Sequence, residues 1–195
     1  MSGRNLIFAA AFAGLVAFCP AAISTETNSA TADEIDVYST LLQKNETWLI
    51  QPQDPSHIAR TKEQVLAYAK KLIGDEKLVG DEKEAAEDWV RKVYEPNLFT
   101  NKLSLPIKWQ LVTEQDFASF PKEESRAWWD AFRKKYPGVK GIVTASRVGM
   151  SNDRQTAFLH WTTSVGPLGV ESSYLVLKKR DGRWRVERML QTIMA

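Results

Sequence analysis

The spacing of apolar positions changes near Gly138 and divides the chain into two parts. Before that point most apolar side chains recur at intervals of three and four residues, which predicts helices. After it, four apolar stretches are separated by short segments of turn-forming residues, which predicts strands. The four predicted strands are residues 141–150, 156–164, 170–179 and 183–193.

Consecutive strands joined by short turns predict antiparallel pairing. The pair Asp181-Gly182 is a strong hairpin signal, and Pro137 ends the preceding helix. Two further strands are predicted among the helices, at residues 47–51 and between Leu105 and the short capped helix that begins at Thr113. The sequence therefore predicts one α+β domain over residues 33–195, with N-terminal helices packed on a mainly antiparallel sheet whose last four strands form a C-terminal meander.

The helix before Pro137 carries closely spaced aromatic residues. Trp128, Trp129, Phe132 and Tyr136 recur at spacings of three, four and seven. Paired tryptophans are sometimes a platform for a sugar or a lipid, but this periodicity is more typical of a buried helix face. We therefore predict that Trp129 and Phe132 are core residues.

The start of the chain has the pattern of a targeting segment. Arg4 is followed by an unbroken apolar and glycine run at residues 6–18, and small residues follow at Ala21 and Ala22. A run of that length is too short to span a bilayer and is typical of a secretory signal peptide. We predict a signal peptide at residues 1–22 and export to the periplasm or the exterior.

Two alternatives for this segment stay open. An uncut run would be an N-terminal membrane anchor, and Cys19 at its end would make a lipoprotein, although Phe18 stands where a small residue is preferred. The small polar residues 23–32 predict a disordered leader. After cleavage the chain would have no membrane span and, because Cys19 leaves with the signal, no disulfide.

The charge balance excludes one class of partner. Removing residues 1–22 takes away Arg4 and no acid, which leaves 25 of the 26 basic side chains against 24 acidic ones, a net charge of +1. Such a balance gives no electrostatic basis for binding nucleic acid. The expected partner is an unidentified protein or a small molecule.

Several short motifs in the second part of the chain match a known pattern. They are a Trp-x-x-Phe helix at Trp129 and Phe132, a Tyr-Pro-Gly stop at residues 136–138, a Ser-Arg-Val-Gly strand at residues 146–149 and a strand start at residues 155–157. With them the sequence resembles a family of uncharacterised exported bacterial proteins, over most of the chain after the signal. Met150, where the family usually has Phe, and residues 170–173 depart from its pattern. The resemblance implies export and the fold, and no activity.

Residues that commonly carry enzyme chemistry are few. The chain has two histidines, His57 in a Pro-rich loop and His160 in a predicted strand, and a zinc site would need both of them together with carboxylates. Ser146, Ser172 or Ser173 would act as a nucleophile only with a base beside it, which the sequence does not identify. Phosphate-binding glycine loops and metalloprotease motifs are absent from the sequence. We therefore expect no metal and no cofactor, and we assign no catalytic residue.

Two arginines fall on strand faces that are otherwise apolar. Arg188 shares its period-two position with Trp184, Val186 and Leu190, and Arg147 shares its position with other apolar residues of its strand. A buried arginine needs a partner, because an isolated charge is costly in an apolar interior.

Two explanations of these arginines are open. In the structural one, each guanidinium reaches water at a sheet edge or pairs with an acid such as Glu171 or Glu187. In the functional one, both arginines converge with His160 and Tyr174 on an anionic ligand bound to the sheet.

Two classes of function remain. The first is a non-catalytic exported domain that binds a protein or a small ligand, favoured by the missing catalytic motifs. The second is an enzyme of the cone-shaped α+β type, like the steroid isomerases, with a pocket on a curved sheet. A carboxylate beside His160 would favour the enzyme.

Overall fold

The computed structural model of the chain describes residues 31–42, 46–52, 62–75, 78–93, 95, 105, 108–121 and 126–194. The predicted signal peptide and most of the predicted leader lie outside these ranges and stay predictions. His57 also lies outside the described residues. The helices and strands are α1 (Ala32–Leu41), β1 (Thr47–Pro52), α2 (Lys62–Asp75), α3 (Asp81–Lys92), β2 (Lys108–Leu111), α4 (Glu114–Phe117), α5 (Arg126–Lys135), β3 (Val139–Ala145), β4 (Gly149–Met150), β5 (Thr156–Ser164), β6 (Val170–Arg180) and β7 (Arg183–Met194).

The seven strands within the described ranges belong to one mixed sheet. The strand order is β2-β1-β3-β5-β6-β7, and the short β4 pairs with β5. β1 is parallel to both of its neighbours, β2 and β3. The other pairs are antiparallel: β3 with β5, β4 with β5, β5 with β6 and β6 with β7. β5, β6 and β7 form a C-terminal meander. The predicted combination of helices with a mostly antiparallel sheet is therefore confirmed, and the parallel β1 was not anticipated.

The first described helix begins with a capping box. The hydroxyl of Thr31 accepts a hydrogen bond from the backbone N–H of Glu34, and the carboxylate of Glu34 accepts one from the backbone N–H of Thr31. Thr31 and Ala32, which the sequence assigned to the leader, are thus the cap and the first residue of α1.

The two faces of the sheet bury different helices. The face that we call the α1 face carries Val143, Leu159 and Leu177, which pack with Val37 and other residues of α1. The opposite face, which we call the α3 face, carries two separate apolar clusters. One joins α3 and α2 to Phe158, Val176 and Leu190, and the other joins α5 to Leu49, Val112 and Ile142.

The aromatic side of α5 faces the core. Trp129 and Phe132 are buried in the cluster with Leu49 and Ile142, which confirms the core prediction.

Among the described helices, none is both long and apolar enough to cross a bilayer.

The predicted strand 141–150 is interrupted at its centre. Ala145 is opposite Trp161, whereas Gly149 is opposite Phe158, so four steps on one strand match three on β5. One extra residue inserted between pairs is a β-bulge, which redirects the side chains around it. Residues 146–148 of the Ser-Arg-Val-Gly segment form this bulge, and Gly149 begins β4.

A second irregularity corrects the predicted face of Arg188. Leu177 pairs with Val186 but Val176 pairs with Arg188, so Glu187 is an extra residue in β7. A one-residue shift moves every following side chain to the opposite face. Trp184 accordingly packs in the α1-face cluster and Leu190 in the α3-face cluster. The prediction that Trp184, Val186, Arg188 and Leu190 share one face is therefore wrong.

Candidate functional site

Arg147 projects from the bulge into a set of carboxylates. It is 6% exposed, its Nε donates to Glu34 Oε1 at 3.0 Å, and its Nη1 donates to Glu95 Oε2 at 2.6 Å. Glu34 is only 1% exposed. Burial alone would lower the pKa of Arg147, but the hydrogen bonding and charge of Glu34, with the charge of Glu95, hold that pKa above its ordinary value. The charge of Arg147 is therefore balanced within the protein.

Ser146 joins this bulge to three other elements. Its hydroxyl donates to the carbonyl oxygen of Arg147 and accepts hydrogen bonds from Trp89 Nε1 at 2.8 Å and from the backbone N–H of His160 at 2.9 Å. Its carbonyl oxygen accepts a hydrogen bond from the hydroxyl of Tyr38 on α1. One donor and two acceptor positions are all that a serine hydroxyl has. Ser146 is thus a structural centre with no capacity left for a ligand.

Gly149 permits the close approach of α3 to the sheet. A Cβ atom at this position would lie 2.6 Å from Cβ of Trp89, and it would also overlap the carbonyl oxygen of Ala85 and the backbone nitrogen of Trp89. Only glycine allows this packing. Ser146, Arg147 and Gly149 of the Ser-Arg-Val-Gly segment therefore each have a structural role.

Arg188 has a carboxylate partner on α3. Its Nη1 donates to Glu82 Oε2 at 2.7 Å, and Lys178 also lies within ion-pair distance of Glu82. The partner is therefore a helix acid, whereas Glu187, which the sequence suggested, pairs with Arg180.

His160 and Tyr174 are brought together as the sequence suggested. They lie opposite each other on β5 and β6, and their ring centroids are 4.8 Å apart. His160 Nε2 lies 2.8 Å from the Ser172 hydroxyl, which lies 3.0 Å from the Thr162 hydroxyl. Burial lowers the pKa of His160 from its ordinary value to about 4, so this imidazole is neutral at neutral pH.

Ser172 and Thr162 belong to a line of polar side chains that crosses the sheet. Cross-strand pairing places Gln51 beside Thr144, Thr144 beside Thr162, and Thr162 beside Ser172. All four side chains are half-buried. We call these four residues the polar row, and His160 with Tyr174 adjoins it on the same face.

The polar row separates the two apolar clusters of the α3 face. Along β5, Phe158 lies in the apolar cluster that contains α3. His160 and Thr162 follow on the same face. Ser164 comes next and pairs with Ile142 of the cluster that contains α5. A few polar groups set among apolar side chains are typical of small-molecule sites. The polar row is therefore the candidate functional site.

The structure does not bring the four residues named from the sequence to one point. His160 and Tyr174 meet beside the polar row, while Arg147 pairs with Glu34 on α1 and Arg188 pairs with Glu82 on α3. Ser172 was set aside at the sequence level because no base could be named for it. The register of β5 against β6 places His160 beside Ser172. The connection at residues 165–169 does not reveal that register in the sequence.

Metal binding and acid–base chemistry both depend on carboxylates and imidazoles within the described ranges. No group of three or more His, Cys, Asp or Glu side chains in those ranges is placed to hold a metal ion. Burial is the single cause acting on the pKa of His160, so no carboxylate in the described part of the chain influences this imidazole. The arrangement offers hydroxyl groups, an amide and a neutral imidazole, which are suited to hydrogen bonding with an uncharged molecule.

Comparison of the chain with protein-family models, curated proteins and solved structures gives no match.

Proposed function

We propose that the protein is an exported, non-catalytic domain that binds a small uncharged polar molecule at the polar row. Export is inferred from Arg4 and the apolar run at residues 6–18. The binding role is supported above all by one observation, the half-buried line of hydroxyl and amide groups between two apolar clusters. The α+β architecture serves this role by packing α3 and α5 in the two apolar clusters that the row separates.

The charges near the row favour a neutral ligand. His160 is uncharged at neutral pH, and the two candidate cations named from the sequence, Arg147 and Arg188, each have a carboxylate partner. An anionic ligand would have to compete with Glu34 or Glu82 for a guanidinium. Sugars, polyols and primary amides instead match the donors and acceptors of the row.

Matched threonine variants test this proposal. Thr162→Val removes a hydroxyl from the polar row with little change of shape, and Thr163→Val removes one from the opposite face of the same strand. A thermal-shift screen of neutral sugars, polyols and amides should give compounds that stabilise the wild type and the Thr163 variant but not the Thr162 variant. Compounds that stabilise all three proteins equally, or a screen that finds none, would contradict the proposal.

A second candidate function follows from the distance between His160 Nε2 and the Ser172 hydroxyl. A serine within hydrogen-bond reach of an imidazole is the arrangement of a nucleophile and its base. The lowered pKa makes His160 a weak base at neutral pH, so we rank this enzyme second. The steroid-isomerase-like alternative has less support, because no described carboxylate acts on His160.

A fluorophosphonate probe distinguishes the two candidates. The binding function predicts no covalent adduct on Ser172 by mass spectrometry. An adduct on Ser172 that forms in the wild type and is lost in His160→Gln would support a hydrolase instead.

A further inference from the structure

Strand β7 forms one edge of the described sheet, and its two faces differ sharply. Within the described ranges it pairs with β6 alone. Arg183 and Arg185 are exposed on the α3 face, since they pair with Arg180 and Lys178. On the α1 face the same strand exposes apolar side chains: Val186 is 43% and Met189 is 53% exposed.

The basic side of this edge contains two consecutive pairs of like charge. Arg180 lies opposite Arg183, and Lys178 lies opposite Arg185. Like charges directly opposite each other on neighbouring strands are destabilising. Glu187 pairs with Arg180 and Glu82 pairs with Lys178, but no carboxylate in the described part of the chain pairs with Arg183 or Arg185.

We propose that the first half of β7 binds an extended segment of another protein in which acidic and apolar residues alternate. Such a segment would add a strand to the sheet through backbone hydrogen bonds. Because side chains alternate between the faces of a strand, its acids would lie beside Arg183 and Arg185 while its apolar residues covered Val186. This interaction is separate from the small-molecule function proposed for the polar row.

The charge pattern also disfavours pairing of β7 with the same strand of a second copy of the protein. Charged side chains on an edge strand repel a second copy of the same edge, and the bulge at Glu187 limits regular pairing to the residues before it. An acidic strand is attracted by the same arginines. A purely protective role for these charges and a general affinity for polyanions are the two other outcomes of the test.

Peptide binding to the whole chain tests the proposal. The probes are an alternating Glu-Val peptide about eight residues long, a peptide of the same composition with all glutamates before all valines, and polyphosphate. We expect the alternating peptide to bind in a titration followed by fluorescence anisotropy, and the block peptide and polyphosphate to bind at least about tenfold more weakly.

Variants locate the interaction. Arg183→Glu with Arg185→Glu should weaken binding of the alternating peptide by about tenfold or more, and it should raise the melting temperature because two like-charge pairs are removed. Val186→Ser should also weaken binding. Controls at exposed positions elsewhere, Arg126→Glu with Lys134→Glu and Val79→Ser, should change nothing.

Three results would overturn the inference. If the alternating peptide does not bind, the charges only protect the edge. If polyphosphate or the block peptide binds as well as the alternating peptide, the arginines form a general polyanion patch. If the arginine reversal leaves the affinity of the alternating peptide unchanged, the peptide binds elsewhere.

Discussion

Arg147 and Arg188 show how burial changes the energetic role of an ion pair. The guanidinium of Arg147 and the carboxylate of Glu34 are both almost inaccessible, whereas Arg188 and Glu82 remain partly open to water. Removing Glu34 would leave the guanidinium of Arg147 out of contact with solvent, with the partly exposed carboxylate of Glu95 as its remaining partner. A partly exposed pair contributes little, since water replaces the lost partner.

Glu34→Gln should therefore destabilise the protein by about 3 kcal/mol, measured by urea unfolding. Arg188→Met, at the partly exposed pair, should cost about 1 kcal/mol or less. The double variant Glu34→Leu with Arg147→Met should recover much of the loss, because both buried charges are removed. Equal costs for Glu34→Gln and Arg188→Met would show that burial of the Arg147 pair is unimportant.

The lowered pKa of His160 predicts a pH-dependent stability. The native state keeps the imidazole neutral down to about pH 4, while the unfolded chain takes up a proton below 6.5. This contribution is fully present above pH 6.5 and is lost as the pH falls towards 4, by on the order of 3 kcal/mol.

Urea unfolding of the wild type and of His160→Gln across this window should show the effect. The variant should lose less stability between the two pH values. The carboxyl groups of Asp33 and Asp88, whose hydrogen-bonded cationic partners outweigh burial and lower their pKa, begin to lose their contributions only in the lowest part of this window, and they do so equally in both proteins. Parallel pH profiles for the two proteins would exclude a buried neutral His160.

The β-bulges determine where the elements of this fold meet. The bulge at residues 146–148 turns Arg147 towards α1 and brings Gly149 against α3, and the bulge at Glu187 exchanges the faces of β7. Bulges commonly redirect side chains in this way. Small changes at these positions should therefore affect the docking of a whole helix.

Gly149→Ala should destabilise the protein by about 3 kcal/mol, because the new methyl group overlaps the backbone of α3 and overpacking of a rigid site is costly. Gly74→Ala is the matched control. Gly74 lies in α2 with open space at its Cβ position, so alanine should stabilise the protein by about 0.5–1 kcal/mol. Thermal or urea unfolding measures both; a tolerated Gly149→Ala would mean that α3 does not rest on the strand.

The strands of the meander were predictable from sequence, whereas the bulges were not. Alternation and turn residues gave β5, β6 and β7 nearly to the residue, since both signals are local. The extra residue at Glu187 has no local signature in the sequence. The prediction from strand alternation therefore put Trp184 and Arg188 on one face, whereas they lie on opposite faces. The pairing of Arg147 with Glu34 joins residues 113 positions apart, a separation that no local pattern reports.

The candidate site was predictable only in part, for the same reason. His160 and Tyr174 were named because they stood out among apolar neighbours. Ser172 and the rest of the polar row depend on the register between strands, which the five-residue connection 165–169 leaves open in the sequence.

At the scale of the whole molecule, we predict that the protein is exported and that its signal peptide is removed. If residues 1–22 are a cleaved signal, the protein recovered outside the cytoplasm should have an intact mass lacking roughly that segment. An uncut chain starting at Met1 in a membrane fraction would support the anchor instead.

We propose that the polar row binds a small uncharged molecule, whereas the bulge at residues 146–148 is structural. Amide chemical-shift mapping by NMR, with the compound that stabilises the wild type most, tests it directly. We predict that the largest shifts fall on Thr144, Thr162, Ser172 and Tyr174. Largest shifts at Arg147 and Val148, or along β7, would contradict this account.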